Sequence, residues 1–438
     1  MTGRQRSQVG IGLMGLGVVG SGVARILTEK ADIYARTIGC PLVLRHVLVR
    51  DPARERAFDV DPALMTTDSC DLLADPEVDV VIEVMGGETP AYDYVKEALS
   101  NGKFVVTANK EVMAKHGSEL LALARAHGVD VLFEASVGGG IPIIAPLKRD
   151  LLANEILGLR AIINGTTNYI LTAMSRKGER FEDALREAQD LGYAERDPTN
   201  DIEAFDAAYK LAILASLAFH TDIRPADVYR EGISRLTPRD FTYAAQLGYA
   251  IKLLAIARRA NGAVEARVHP ALVPLDEPLA KVDGVLNAVQ VEGDLLGQVL
   301  FEGRGAGSLP TTSAVVADLL DAAVSVVSGV REPSPWRREA PTGVLPIGDV
   351  VTRYYFRITV ADRPGVLAQI ARVLGDRQIS IASVIQKEAD ERAQTAELVI
   401  MTHPSREDAV QRALGQLATL EVVPGIGSVI RVEGTTEG

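Results

Sequence analysis

The segment VGIGLMGLGVVG, residues 9–20, decides the fold of the N-terminal part of the chain. Its first six residues are apolar and predict a strand, and a helix is expected from about Ser21. Between them, Gly15-Leu16-Gly17-Val18-Val19-Gly20 has the pattern G-x-G-x-x-G. Glycines there permit a tight turn and close approach of a pyrophosphate, whose charge the helix N-terminus attracts. We predict that this turn binds a dinucleotide; a buried turn without a ligand is the alternative.

Strands and helices alternate through the first ~135 residues, which predicts a parallel sheet with right-handed crossovers. The predicted strands are 9–14, 42–49, 78–84, 104–107 and 129–133, with helices near 21–36, 90–101 and 111–127. Ligands bind at the carboxyl ends of such strands. The motifs expected at that edge are the glycine turn, Met85-Gly-Gly-Glu88 and Thr107-Ala-Asn109-Lys110. Lys110 is therefore placed to do chemistry, although an ordinary surface lysine after a strand is equally consistent with its position.

The segment GYAERDPTNDIEAFDAAYK, residues 192–210, concentrates charge immediately before an apolar run, LAILASLAF. Asp206 and Lys210 are four residues apart, so they share one face of a helix that should be buried. Charges on a buried helix are costly unless they are paired or used. The pair therefore predicts a functional site, with a surface Asp–Lys pair as the simpler alternative. We expect the helix to begin at a capping box formed by Asn200 and Glu203.

The composition favours a large α/β protein of the cytoplasm. A chain of 438 residues should contain two or three domains, and 47% hydrophobic with only 5% aromatic residues indicates aliphatic cores. The net charge of −12 argues against nucleic acid or an anionic membrane as partner. No apolar run approaches the ~20 residues that span a bilayer. Cys40 and Cys70 lack disulfide-framework or zinc-ligand spacing, which fits a reducing compartment.

Glycine turns mark the second region, residues ~138–304. The segment Glu134-Ala-Ser-Val137-Gly-Gly139-Gly-Ile141 contains three consecutive glycines, which suggests backbone groups facing a ligand or ion, or a plain hinge. The segment Gly303-Arg-Gly305-Ala-Gly307 opens a helix expected near 311–327. We expect this helix to pack on the first domain with the Gly307 backbone near the cofactor, or to follow a simple loop.

The chain ends in a linker and a further unit. Residues 331–349 contain four prolines without periodicity, which is typical of a linker. The predicted elements that follow are 354–360, 364–377, 379–387, 393–401, 406–417 and 427–432. Their order is βαββαβ, a ferredoxin-like unit with the segment Asp362–Leu367 (DRPGVL) at its first strand–helix turn.

With these motifs the chain resembles the monofunctional homoserine dehydrogenases. The resemblance rests on Ala188…Gly192-Tyr-Ala-Glu195…Asp197-Pro198…Asp201-Ile…Phe205-Asp206…Lys210 and on Thr107-Ala-Asn109-Lys110. It covers essentially the whole chain, and the DRPGVL unit resembles an ACT domain, a module that often binds amino acids. The family usually has glycine where this chain has Ala204, whose methyl group would narrow the pocket slightly.

The resemblance implies an α/β protein of three domains. These are a Rossmann-type dinucleotide-binding domain (1–137, completed by a helix at about 305–330), an α+β catalytic and dimerisation domain (138–304) and, after the linker, a C-terminal ferredoxin-like βαββαβ ACT domain (350–433). The implied reaction is the reversible, NAD(P)H-dependent reduction of L-aspartate 4-semialdehyde to L-homoserine.

The resemblance also implies roles for individual residues. Lys210 and Lys110 match the catalytic lysines, and Lys110 is also expected to contact the cofactor. Residues that match the substrate site are Glu195, Asp206, Asp201 and Gly192. A sodium site built mainly from backbone carbonyls matches Glu134, Val137, Gly139 and Ile141, and Gly307 matches a cofactor contact.

The cofactor preference follows from the end of the second strand, where Arg50 precedes Asp51. Arginine suits the 2′-phosphate of NADP, whereas an acidic residue suits the 2′-hydroxyl of NAD. We therefore expect NADP(H) to be preferred, with NAD(H) possible.

Two other functions remain open from the sequence: a nicotinamide-dependent dehydrogenase for another amino or keto acid, and a non-catalytic sensor of NADPH and an amino acid. The expected partners are a small substrate, threonine as a possible effector of the ACT domain, and other copies of the chain in a dimer or tetramer.

Overall fold

The computed structural model describes residues 7–260, 262–329, 343–390 and 393–434. They fall into two compact units. Unit 1 comprises the described residues of Met1–Ile156, Ala212–Pro225 and Asn287–Pro341, and unit 2 those of Leu157–Leu211, Ala226–Leu286 and Thr342–Gly438.

The helices of the described residues are α1 (Val18–Glu29), α2 (Ala31–Ile38), α3 (Ser69–Leu73), α4 (Ala91–Ser100), α5 (Lys110–Ala126), α6 (Gly165–Lys177), α7 (Phe181–Asp190), α8 (Thr199–Ile202), α9 (Phe205–Ala218), α10 (Pro238–Gln246), α11 (Ser308–Ser328), α12 (Val366–Asp376) and α13 (Glu407–Leu417). The strands are β1 (Val9–Met14), β2 (Leu42–Leu48), β3 (Met65–Thr66), β4 (Val80–Glu83), β5 (Phe104–Thr107), β6 (Val131–Leu132), β7 (Ile156–Ile162), β8 (Tyr229–Arg230), β9 (Tyr249–Ala260), β10 (Ala263–Pro274), β11 (Leu286–Gly293), β12 (Gly297–Arg304), β13 (Val351–Ala361), β14 (Ile381–Asp390), β15 (Thr395–Thr402), β16 (Ser405–Arg406) and β17 (Gly425–Val432).

Unit 1 contains the predicted parallel sheet, with strand order β3-β2-β1-β4-β5-β6. Every residue of β1 is buried, as its uninterrupted apolar run predicts. The order reverses between β1 and β4, so the turns after these two strands flank the crevice where α/β sheets bind ligands. The helix predicted near 21–36 is two helices, α1 and α2, and the short β3 and α3 were not predicted. Elements of two and five residues carry too little periodicity to be recognised.

Helix α11 belongs to unit 1 and packs against α1. A side chain at Gly22 would lie 2.3 Å from Thr312 Oγ1, so glycine allows the two helices to approach closely. By length and composition α11 could cross a membrane, with a mean hydropathy of 1.4. Its buried residues, among them Asp318, instead form part of the core of unit 1, and core helices of this kind pass the same test.

Unit 2 is built on a mixed sheet that runs from the central region into the C-terminal tail. Its strand order is β7-β9-β10-β17-β13-β15-β14. Strands β9 and β10 pair antiparallel along twelve residues each. Strand β17, the last strand of the tail, pairs in parallel with β10 through Ala271↔Arg431 and Leu272↔Val432. The tail therefore extends the sheet of the central region.

The tail has the predicted βαββαβ order, formed by β13, α12, β14, β15, α13 and β17. Its core is aliphatic and aromatic and includes the buried side chains Phe356, Ile370, Leu398 and Leu417. Much of the predicted linker, residues 330–342, lies outside the described residues. The rest is attached to unit 2, since the Leu345 N–H donates to the carbonyl of Val264.

A buried arginine joins the tail to the central region of unit 2. Arg357 of β13 donates from Nε to Asp240 Oδ1 at 2.8 Å and from Nη1 to Glu397 Oε1 at 3.0 Å. Asp240 also forms a capping box with Thr237 at the start of α10. All three charged side chains are almost completely buried, so each relies on the others for its solvation.

Replacing Arg357 with methionine should strongly destabilise unit 2. Asp240 would remain as a buried carboxylate without its cation, which typically costs about 3–5 kcal/mol. Equilibrium urea unfolding of the full chain measures the change. The control is Arg412→Ala, which removes an exposed pair with Asp408 and should cost less than about 1 kcal/mol. Equal effects of the two substitutions would show that the buried network does not hold the tail in place.

Candidate active site

Helix α9 begins with the charged residues that the sequence singled out. The predicted capping box of Asn200 and Glu203 is wrong. Asn200 lies inside the short helix α8, and Glu203 follows that helix and accepts a hydrogen bond from Ser234 Oγ. The long helix begins only at Phe205, after Ala204, whose φ of 62° is in the left-handed region.

Asp206 and Lys210 form the buried pair predicted from their spacing. Lys210 Nζ donates to Asp206 Oδ2 at 2.6 Å and to the carbonyl of Ile163 at 2.8 Å. The Asp206 side chain is 4% exposed and the Lys210 side chain is 13% exposed. An ammonium has three N–H groups, and no described residue accepts the third.

Asn164 connects the two central carboxylates of the site. Its Nδ2 donates to Asp201 Oδ1 at 2.7 Å and to Asp206 Oδ2 at 2.9 Å. Its Oδ1 accepts from the Thr167 N–H and so caps α6. Burial raises the pKa of the Asp201 carboxyl, against the Asn164 hydrogen bond, and the Asp206 charge raises it further. Sequence reasoning assigned no role to Asn164, although Asn before Gly-Thr-Thr at a strand end is a recognisable helix-cap signal.

The remaining acidic residues of the segment do not join this cluster through any described hydrogen bond. Glu195 is exposed, and its backbone carbonyl accepts from Gln189 Nε2. Asp197 accepts from the N–H and the hydroxyl of Thr199, the first residue of α8. Gly192 has a φ of 76° and ends the turn after α7. Thus only Asp201, Asp206 and Lys210 of the predicted set are held together in unit 2.

The predicted glycine turn of unit 1 has the geometry of a dinucleotide loop. Gly15 has a φ of 97°, and a side chain at Gly20 would lie 2.1 Å from the Gly15 carbonyl oxygen. Gly17 is the N-cap residue of α1, and a side chain at this position would face open space. Leu16 is buried beneath the turn, whereas Val18 is exposed. Val19 lies in the first turn of α1 with partial exposure.

Lys110 is the first residue of α5 and is exposed at the carboxyl edge of the sheet of unit 1. A buried network fixes this position. Asn109 caps α5 and donates from Nδ2 to the carbonyl of Gly87 at 2.7 Å. Thr107 Oγ1 accepts from the Asn109 N–H and donates to Glu83 Oε2 at 2.6 Å. Burial raises the pKa of the Glu83 carboxyl. Glu83 was not predicted, because an acidic residue at the end of a buried strand has no distinct sequence signal.

The segment from Glu134 to Ile141 is folded around backbone groups. The Glu134 carboxylate accepts three backbone N–H groups, from residues 143, 144 and 145, at 2.6–2.8 Å. Both oxygens of the Glu134 carboxylate are therefore already occupied by hydrogen bonds. The residues Val137, Gly139 and Ile141 are buried, and no described donor reaches their carbonyl oxygens.

Two further predicted contacts lie in unit 1. Arg50 is exposed after β2 and makes no hydrogen bond or ion pair with another described residue. Gly307 is the N-cap residue of α11 and has a φ of 120°. The hydroxyl of the next residue, Ser308, donates to the Val18 carbonyl at 3.4 Å. The start of α11 is thus next to the glycine turn.

Comparison with known proteins identifies the class and the family of proteins to which a chain with these features belongs. Family models match residues 15–134 (homoserine dehydrogenase, NAD binding domain), 142–320 (homoserine dehydrogenase) and 354–421 (ACT domain). A dinucleotide loop and a buried lysine–carboxylate pair, together with these matches, define an NAD(P)-dependent oxidoreductase.

The chain is 46% identical to homoserine dehydrogenase of Mycobacterium tuberculosis over 435 residues, which cover 98% of each chain. The crystal structure of a homoserine dehydrogenase from Thiobacillus denitrificans superposes with a TM-score of 0.90 at 44% identity, covering 98% of each chain. A hyperthermophilic archaeal homoserine dehydrogenase in complex with NADPH has a TM-score of 0.62 at 29% identity, covering 73% of this chain and 98% of its own. The chain belongs to the homoserine dehydrogenase family, which interconverts aspartate semialdehyde and homoserine.

A buried acid in unit 1 should make stability depend on pH. Asp318 Oδ2 accepts the Glu134 N–H at 2.8 Å. Burial raises the pKa of the Asp318 carboxyl from 3.8 to about 8, against this hydrogen bond. Between these values the folded chain holds a proton that the unfolded chain releases, so the free energy of unfolding falls as pH rises from about 4 to about 8. Asn at position 318 cannot ionise and should reduce this slope.

Denaturant unfolding of wild type and Asp318→Asn at pH 5.5 and 8.5 measures the effect. The difference in unfolding free energy between the two proteins should shift in favour of the variant by a few kcal/mol, on the order of 1.4 kcal/mol per pH unit. Asp321→Asn, at an exposed position on the same helix, is the matched control and should leave the wild-type slope unchanged. A variant at position 318 with the wild-type slope would show that Asp318 is ionised in the folded protein.

Proposed function

We propose that Lys210 is the acid that protonates the growing alkoxide when L-aspartate 4-semialdehyde is reduced to L-homoserine. The observation that carries this proposal is the single N–H of the buried Lys210 ammonium that lacks a described acceptor. The bound nicotinamide cofactor supplies the hydride to the aldehyde carbon. Charge then develops on the aldehyde oxygen, and an ammonium beside that oxygen both stabilises the charge and donates a proton.

The two other hydrogen bonds of Lys210 support this role. Asp206 and the Ile163 carbonyl orient the ammonium and keep its charge in a buried position. In the reverse reaction, the same nitrogen accepts the proton from the hydroxyl of homoserine. We assign Lys110 a second catalytic role, because its capped helix start lies at the ligand-binding edge of the sheet of unit 1.

The substrate ammonium requires carboxylates around it. We propose that Asp201, Asp206 and the exposed Glu195 provide them, with Gly192 allowing the turn that carries Glu195. Asp206 Oδ2 already accepts hydrogen bonds from Lys210 and Asn164. Its contribution to the substrate is therefore mainly electrostatic, whereas Glu195 is exposed and available for direct contact.

For the cofactor, we propose NADP(H) as the preferred form with NAD(H) accepted. The turn from Gly15 to Gly20 would hold the pyrophosphate, and the backbone at Gly307 would contact the cofactor beside it. Arg50 supports the preference, because an exposed guanidinium that pairs with no described residue suits a 2′-phosphate. The archaeal relative solved with NADPH is in agreement with this choice.

We also propose a sodium ion at the loop between Glu134 and Ile141. Sodium prefers oxygen ligands, and the buried carbonyls of Val137, Gly139 and Ile141 lack described donors. The Glu134 carboxylate holds the loop through three N–H groups. Glu134 would therefore contribute its backbone or its charge rather than a free carboxylate oxygen.

Regulation is proposed to act through the tail, with threonine binding near Asp362–Leu367. Gly365 is the N-cap residue of α12 and has a φ of 86°, so the backbone N–H groups of the first helical turn point toward this turn. We further propose a cytoplasmic homodimer or homotetramer. Removing the tail would be a poor test of regulation, since it would also remove β17 from the edge of β10.

Lys210→Ala should lower kcat by about 10²–10⁴-fold, because the alkoxide loses its acid. NADPH oxidation with aspartate semialdehyde measures turnover, and cofactor fluorescence measures binding, which should remain. Lys177→Ala removes an exposed pair with Glu187 in the same unit and should retain wild-type rates. Lys110→Ala should resemble Lys210→Ala. Asp206→Asn should also lower kcat, because Lys210 loses the carboxylate that orients it, whereas Glu195→Gln should mainly raise the substrate KM. A Lys210→Ala enzyme within threefold of wild type would refute the assignment.

Arg50→Ala should raise the KM for NADPH by about tenfold, since it removes one charge-assisted contact of about 1.4 kcal/mol. The KM for NADH should change little, because NADH lacks the 2′-phosphate. Initial rates with each cofactor provide the comparison. Arg36→Ala, at an exposed arginine of α2, is the control for a general loss of positive charge. Equal changes for both cofactors would exclude the proposed contact.

A further inference from the structure

Glu83 is a buried carboxylate of unit 1 to which the proposed reaction assigns no role. It is the last residue of β4, at the carboxyl edge of the sheet, and its side chain is fully buried. A buried carboxylate is costly unless hydrogen bonds compensate its charge. Both oxygens of Glu83 accept such hydrogen bonds, and the donors lie on two different loops. Glu83 therefore connects two segments that border the ligand-binding edge.

The first donor lies on the loop after β4. Glu83 Oε1 accepts the Met85 N–H at 2.8 Å. This part of the loop packs against the dinucleotide turn, since a side chain at Gly15 would lie 3.0 Å from the Val84 carbonyl oxygen and 3.2 Å from Met85 Cγ. A side chain at Gly20 would likewise lie 3.3 Å from Val84 Cγ2. The hydrogen bond to Oε1 thus holds the segment on which the glycine turn rests.

The second donor lies on the loop after β5, which leads into Lys110. Glu83 Oε2 accepts from Thr107 Oγ1 at 2.6 Å, and the same hydroxyl accepts the Asn109 N–H at 3.0 Å. Asn109 in turn caps α5 by accepting the Val112 N–H at 3.1 Å. Lys110 is the first residue of that helix. Two consecutive hydrogen bonds therefore lead from Glu83 to the residue that precedes Lys110.

A further hydrogen bond joins the two loops to each other. Asn109 Nδ2 donates to the Gly87 carbonyl at 2.7 Å. The glycine turn, the loop after β4 and the start of α5 are therefore linked through the groups around Glu83, at the edge of the sheet where ligands bind. A displacement of this edge would move Lys110 relative to a bound cofactor. A misplacement of about 1 Å can lower a rate by a factor of about 10².

We propose that Glu83 is a positioning residue, which fixes the Lys110 ammonium relative to a cofactor bound at the glycine turn. Because Glu83 is fully buried, it acts through its hydrogen bonds and not by contact with a ligand. The inference rests on the proposed catalytic role of Lys110. The simpler alternative is that Glu83 only stabilises unit 1. A stabilising residue affects unfolding alone, whereas a positioning residue affects the turnover of folded enzyme and does so only while Lys110 is present.

Glu83→Gln keeps the size of the side chain but replaces one acceptor oxygen with an NH₂ group, so either Met85 or Thr107 loses its acceptor. In full-length enzyme, kcat with aspartate semialdehyde at saturating NADPH should fall by at least about tenfold. The matched control is Asp79→Asn. Asp79 is also a buried carboxylate, and it accepts the Gly10 N–H at 3.0 Å at the opposite edge of the sheet. This control should lower stability in urea unfolding and retain the wild-type kcat.

Two variants of Thr107 separate the connection to Lys110 from the connection to the glycine turn. Thr107→Val removes the hydroxyl at nearly constant volume and interrupts only the path through Asn109. It should lower kcat by about tenfold, while cofactor fluorescence should show unchanged NADPH binding, because Met85 keeps its acceptor. Thr107→Ser retains the hydroxyl and should restore turnover to near the wild-type rate. This pair also decides the question if Glu83→Gln does not fold.

The double variant Glu83→Gln/Lys110→Ala tests whether the effect passes through Lys110. Without an ammonium to position, it should turn over as slowly as Lys110→Ala and no slower.

Three results would overturn the inference alone, each beside a slow Lys110→Ala enzyme. They are a wild-type kcat in folded Glu83→Gln, equal losses of turnover in Thr107→Val and Thr107→Ser, and a double variant that combines both single losses. Wild-type turnover by Lys110→Ala itself would instead refute the proposed role of Lys110, and the inference would fall with it.

Discussion

The buried ion pair between Asp206 and Lys210 requires further hydrogen-bond partners, which the rest of unit 2 has to supply. Both charges are almost removed from water, and neither would be tolerated there without further partners. Asn164 supplies an N–H to Asp206, and the Ile163 carbonyl accepts from Lys210. These two partners are adjacent in sequence, at the end of β7. The position of β7 against α9 therefore orients the Lys210 side chain.

The need of buried charges for partners also explains how the tail is attached to the central region. Strand β17 continues the sheet of the central region, and the buried Arg357 and Arg431 each connect tail carboxylates with carboxylates outside the tail. Moving the tail away from the central region would separate these charges from their partners. Each would then be a buried charge without compensation, which is strongly destabilising. The tail is thus a structural part of unit 2.

Much of this architecture is readable from the sequence because its signals are local. The G-x-G-x-x-G turn between Met14 and Ser21 and the βαββαβ order of the tail both follow from periodicity and glycine placement. The buried pair of Asp206 and Lys210 was likewise predicted from a local signal, their spacing of four residues. Partners from distant segments carry no such signal. Asn164 is 42 residues from Asp206, and Arg357 is 117 residues from Asp240, so neither contact follows from local pattern.

The wrong prediction of a capping box at Asn200 shows how backbone conformation serves the site. A capping box at Asn200 would have begun a continuous helix, with Asp206 in its second turn. Instead Ala204 takes a left-handed φ of 62°, and α9 begins at Phe205. Asp206 therefore lies in the first turn, where the positive end of the helix dipole stabilises a carboxylate, and Lys210 lies one turn later. Glycine would adopt that φ without strain, whereas alanine does so at a cost on the order of 1 kcal/mol. Ala204 thus interrupts the helix immediately before the carboxylate that holds Lys210.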